Sequence, residues 1–86
     1  MKIEFPVGAA YDSNATSISF PVVVDGLPGR CLVSDEALMD NFGASDITPM
    51  VLLDAYGRNT ATIQAAAKKR ILAGTPIPFL LKSGDF

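Results

Sequence analysis

The chain has 86 residues, 49% of them hydrophobic, with one cysteine, no histidine and a formal net charge of −2. No histidine and a single thiol exclude the usual zinc and transition-metal sites, an intrachain disulfide and every imidazole-dependent triad. Enzymatic chemistry would fall to carboxylates, lysine, tyrosine or the lone thiol, and the sequence carries no cofactor motif.

This length predicts one domain, residues 1–86, of modest stability on its own. The high apolar fraction favours a homo-oligomer that covers extra apolar surface. The longest unbroken apolar run is Val22 to Val24, or Phe20 to Val24 with Pro21 counted, far too short to span a bilayer. Lys2-Ile3-Glu4-Phe5 alternates as a strand does and lacks the basic-then-apolar layout of a secretion signal, so the cytoplasm is the expected address. Charge is unevenly placed. Residues 1–54 carry eight acids and two bases, and residues 55–86 carry five bases and one acid. Such polarity suits head-to-tail self-association or an anionic partner.

In chain order, residues 2–5 predict a short strand that Pro6 ends. Val7 to Thr16 reads as a loop, with Tyr11-Asp12-Ser13-Asn14 as its turn-rich part. Ser17 to Asp25 is the strongest strand, with Ile18, Phe20, Val22 and Val24 on one side. Pro21 sits inside it on the opposite parity and lacks a ladder donor, which points to an edge position or a bulge. Asp25 to Gly29 is a turn cluster and Arg30 to Val33 the return strand of a hairpin. Cys31 shares a face with Val33 and reads as a small buried hydrophobe, slow to react. Ser34 caps a first helix with Asp35 and Glu36 in its first turn; Leu38, Met39 and Phe42 face inward, and Gly43 ends it.

A second, long helix is bracketed by Thr48-Pro49 and Gly74. Thr48 serves as cap, Pro49 suits the first helical position, and Lys68, Lys69 and Arg70 lie near the negative pole. Leu52, Leu53, Tyr56, Ile63, Ala67 and Ile71 recur at three- and four-residue steps on one face. An unbroken helix over residues 49–73 would run ~37 Å at 1.5 Å per residue. That exceeds the diameter of about 31 Å expected for a sphere of this size, so one end would project. The stripe keeps its phase across Gly57, which favours an unbroken helix. Thr75 to Pro78 is extended, and Phe79 to Ser83 forms a last strand. The expected fold is a two-layer α+β domain in the order β-β-β-α-α-β, a four-stranded sheet covered on one face by two helices.

These elements together resemble a family of short bacterial proteins known as domain of unknown function 1488. The residues that carry the likeness are Ile3 and Phe5, the Phe20 strand, Asp25-Gly26, Cys31, Ser34 to Leu38 and Phe42-Gly43-Ala44. Tyr56, Asn59, Ile63 and the closing Ser83-Gly84-Asp85-Phe86 extend it over nearly the whole chain. The resemblance implies a compact α+β fold of split β-α-β type and no established activity. A basic residue often follows the asparagine in that family; here Thr60 stands there.

Three functional classes are open. The first is a non-catalytic interaction module, a homodimer whose long helix presents a second stripe of Met50, Ala61, Ala65 and Leu72. The second is a binder of an anionic partner, with nucleic acid as one form, through Arg58, Lys68, Lys69, Arg70 and Lys82. The third, an enzyme built on the Tyr11-Asp12 loop or on Asp35, Glu36 and Asp40, ranks last because capping already explains the helix-start acids. Asn59 is expected to tie the helix to a neighbouring loop, with a ligand contact in a groove beside the helix as the functional alternative, and Arg70 to reach Asp85 or the carboxylate of Phe86.

Overall fold

Asp25 and Gly26 both take positive φ, 51° and 84°, the requirement of a two-residue type I′ turn. They set the register of the central hairpin in a computed structural model that describes residues 1–86. Five strands, β1 (Ile3–Glu4), β2 (Ala10–Asp12), β3 (Ser17–Val24), β4 (Leu27–Ser34) and β5 (Leu80–Leu81), form one sheet in the order β1-β3-β4-β5. β2 pairs with β3 on the same edge as β1 and further along it. Three helices follow the hairpin: α1 (Asp35–Asn41), α2 (Pro49–Arg58) and α3 (Thr60–Leu72).

The α+β architecture expected from the sequence is the one observed, with one more strand and one more helix. β2 falls in the stretch read as loop, where three residues show too little alternation to be seen. Pro28 and Gly29 belong to β4 and not to the turn, because the I′ turn needs only two residues. β4 and β5 are parallel neighbours, Leu32 beside Leu80 and Val33 beside Leu81, joined through the three helices. No strand lies between them, so the crossover is a plain β-α-β unit attached to an antiparallel hairpin, where the family resemblance implied a split one.

Strand parity decides which face is covered. Ile18, Phe20 and Val22 of β3 and Cys31 and Val33 of β4 are wholly buried beneath the helices, with Leu81 beside them. Each large apolar side chain so buried contributes about 1.5–3 kcal/mol relative to exposure. The helices close this face with Ala37 and Leu38, Leu52, Ala55 and Tyr56, and Ile63, Ala67 and Ile71. Met39, expected to face inward, is exposed, since Leu38 and Phe42 already fill the inner side of α1.

Pro21 lies in the gap between the two short strands of its edge. β1 pairs with Val23 and Val24, and β2 pairs with Ser17 to Ser19. Asp25 donates its backbone N–H to Lys2 O, so by strand alternation the backbone nitrogens of odd residues in β3 face the β1 and β2 edge. The donor that Pro21 lacks would have pointed where no strand is present.

The long helix is interrupted, contrary to expectation, and at Asn59 rather than Gly57. Asn59 has φ −131° and ψ 25°, and its N–H bonds Tyr56 O in a tightened turn. The carbonyls this leaves unmet are served by side chains: Asn59 Nδ2 donates to Ala55 O at 2.8 Å, and Thr60 Oγ1 to Gly57 O at 3.0 Å. Asn59 is therefore a repair within the helix and does not tie it to a loop. The bend lets α2 and α3 both bury their apolar faces in a body of 36 × 23 × 22 Å, so neither half has to project to reach this length. Thr48 is not the side-chain cap expected either; its N–H and hydroxyl both bond Asp46 Oδ1, at 2.8 and 2.7 Å. Those two bonds hold the Asp46 carboxyl below the usual carboxylate range.

Candidate functional site

Two regions bear on function, the basic residues picked from the sequence and a groove beside the long helix whose lining, which leaves out Asn59, sequence reading did not find. The basic set is not one patch. Arg58 is paired along its own helix with Asp54 at 2.9 Å. Arg70 pairs with Asp85 at 3.1 Å, and its guanidinium stands 5.0 Å from the centroid of the Phe79 ring. Of the two partners expected for Arg70, Asp85 is the one used. Lys68, Lys69 and Lys82 are exposed and make no ion pair, so the free positive charge reduces from five residues to three.

The closing Ser83-Gly84-Asp85-Phe86 forms a clasp. Ser83–Asp85 is a single 3-10 turn in which Asp85 Oδ2 accepts from the Lys82 N–H at 2.7 Å. Ser83 Oγ donates to Asp40 Oδ2 at 2.7 Å, and the Phe86 ring meets Phe42 edge-on at 4.8 Å. Two of the other acids weighed as catalytic groups serve local structure. Asp12 Oδ1 accepts from Asn14 N–H at 2.9 Å, and Asp35 Oδ1 from Glu36 N–H at 2.8 Å. Cys31 is fully buried, and burial pushes its thiol up to about 11. No three of the Cys, Asp and Glu side chains are gathered where they would hold a metal.

The groove, about 400 Å³, lies beside the helix interruption. One wall is the loop Pro6–Ala9 that fills the gap between β1 and β2, and the other is made by Leu53, Tyr56, Gly57, Thr60 and Gln64. Tilted ring pairs support it from within, with Phe20 5.2 Å from Tyr56 and 6.2 Å from Phe5. Tyr56 is nearly buried and its hydroxyl accepts from Gln64 Nε2 at 3.4 Å. Burial raises the Tyr56 pKa, opposed by that bond, and keeps the phenol neutral and able to donate. Behind the loop, Arg30 reaches across the open sheet face. Its guanidinium donates to Ser19 Oγ, to Ser19 O at 3.0 Å and to Gly8 O at 2.9 Å. Arg30 thus fixes the loop wall from the side away from the groove.

Fold and surface together define a small α+β domain with one helical layer and one open sheet face. The chain belongs to the family described as Protein of unknown function (DUF1488), which it matches over residues 3–76. The Ser83 to Phe86 clasp lies beyond that match. No curated protein matches the chain. Among solved structures it is similar to the crystal structure of a protein of unknown function from the DUF1488 family of Shewanella loihica PV-4. That likeness has a TM-score of 0.81 at 16% identity and covers 93% of this chain and 89% of the other. At this identity it speaks for the fold alone. No helix is long and apolar enough to cross a membrane.

Proposed function

We propose that the chain is a cytoplasmic, non-catalytic interaction module that acts as a homodimer through the outer face of α3. The observation that carries this reading is the exposure of Ala61, Ala65 and Leu72, spaced to lie on one side of α3 opposite Ile63, Ala67 and Ile71. Small residues let two helices approach closely, and Leu72, 59% exposed, supplies the apolar anchor at one end. Met50 is also exposed, but the bend at Asn59 separates it from the stripe. The buried free thiol suits a reducing compartment. Sedimentation equilibrium tests the reading: a dimer is expected at micromolar concentration, and Ala65→Glu is expected to yield a folded monomer. A monomer throughout the high micromolar range would overturn it.

The three unpaired lysines favour a second reading, an anionic partner held by Lys68, Lys69 and Lys82. Three charges in a chain of net charge −2 make a weak footprint for nucleic acid. The expected signature is affinity for a single-stranded oligonucleotide that falls steeply with salt, and its absence at 20 mM salt would remove this reading.

A further inference from the structure

We propose that the groove between the Pro6–Ala9 loop and the α2–α3 junction is a binding site for a small, uncharged, largely apolar molecule that carries a hydroxyl or carbonyl group. Gly57 is the first reason. It sits inside α2, it is not among the glycines with positive φ, and a Cβ built on it would meet nothing within 4 Å. Neither backbone conformation nor internal packing requires glycine there. Even the helix interruption falls two residues later, at Asn59. Glycine in a helix interior costs about 1 kcal/mol relative to alanine, so the fold tolerates a loss to keep this wall bare. A bare backbone beside a groove is where a ligand approaches closely.

The lining decides the chemistry. None of the ten residues around the groove is charged, so an ionic ligand would lose water with no countercharge to replace it. What the walls offer are the Tyr56 hydroxyl, the Gln64 amide and, as acceptor only since its proton goes to Gly57 O, the Thr60 hydroxyl oxygen, set among Phe5, Val7, Ala9 and Leu53. The Tyr56–Gln64 bond is long at 3.4 Å, which leaves both groups able to turn toward a guest oxygen. A volume of about 400 Å³ lies at the small end of the range for organic ligands. The opposite wall is held in place, since Arg30 fastens Gly8 O from the far side of the sheet edge. Arg30 is accordingly a positioning residue for the site.

The test uses the full chain, labelled with nitrogen-15 and titrated with p-cresol, indole and benzoate as probes. p-Cresol and indole are expected to give saturable shifts of the amides of residues 7–9, 57 and 60, with millimolar dissociation constants. Benzoate is expected to bind at least tenfold more weakly. Gly57→Ala is expected to melt no lower than the parent and to lose p-cresol binding at least tenfold, which separates a filled groove from a damaged fold. Should that variant not fold, Gln64→Leu provides the second arm, expected to weaken p-cresol more than indole. Absence of saturable shifts, equal binding of benzoate, or unchanged affinity in the folded Gly57→Ala protein would overturn the proposal. So would concentration-dependent shifts of the same amides without probe, which would seat a second copy of the chain there. The α3 dimer is read by sedimentation, so the two proposals stand or fall separately.

Discussion

The α2–α3 junction and the C-terminal clasp solve the same problem in opposite ways. In each, regular structure stops and side chains take over hydrogen bonds that the backbone can no longer make. At the junction the repair is local: Asn59 serves Ala55 and Thr60 serves Gly57, all within six residues. At the clasp it is long-range: Asn41 Nδ2 donates to Ser83 O at 3.3 Å, beside the Ser83–Asp40 bond and the Phe86–Phe42 contact, all across more than forty residues. The local repair leaves the surface beside it open, with Gly57 bare. The long-range repair closes the surface, laying Arg70 over Phe79 and binding the chain end to α1. Where a chain mends itself with near neighbours, outer surface remains for other work.

Breaking the core under the junction is expected to have the largest effect. Ile63→Ala empties a fully buried position just past the bend and is expected to cost about 3 kcal/mol, measured by urea unfolding. Asp85→Ala removes both the Lys82 cap and the Arg70 pair, for about 1–2 kcal/mol. Because the clasp is long-range, hydrogen exchange in this variant is expected to speed up at both the chain end and α1. Asn59→Ala is expected to cost about 1 kcal/mol, with faster exchange confined to the junction. Equal spread of exchange in the two variants would erase the contrast between local and long-range repair.

The smallest effect comes from the buried thiol of the sheet. Cys31 ordinarily titrates near 9.0 and is raised to about 11 by burial, so the folded state holds its proton longer than the unfolded state. Stability is therefore unaffected by this group below pH 9 and falls as pH rises from there toward 11. The loss is expected to stay below about 1 kcal/mol at about pH 9.5. Iodoacetamide at neutral pH is expected to label Cys31 only as fast as the protein opens; rapid labelling would contradict its burial.

How much of this was legible in the sequence follows the same division. The Ser34 cap, the position of the hairpin turn and most of the buried face from Leu52 to Ile71 are local patterns and stand where residue chemistry placed them, though the turn is Asp25-Gly26 alone and Leu53 is half-buried. Arg70 with Asp85 was accessible too, since opposite charges near one chain end narrow the choices. The bend at Asn59 was hidden because the apolar stripe keeps its phase through it, and an amide can break a helix or sit quietly within one. Thr48 was misread because Asp46, two residues earlier, competes for its donors. Of the groove, only a place beside the helix near Asn59 was legible, and its lining was not. Its walls come from residues about fifty positions apart, and its brace, Arg30, binds Gly8 through a fold that no spacing announces.

Pro21 has a consequence for how the protein behaves in a crowd. A sheet edge with free amide donors is a template on which other chains can stack, and an apolar segment such as Phe20 to Val24 would ordinarily be prone to fibril growth. Two short strands and the Pro6–Ala9 loop between them cover that edge, and the residue beneath the loop has no donor to leave unmet. Replacing it with valine would place beneath the Pro6–Ala9 loop a donor that no strand is there to receive.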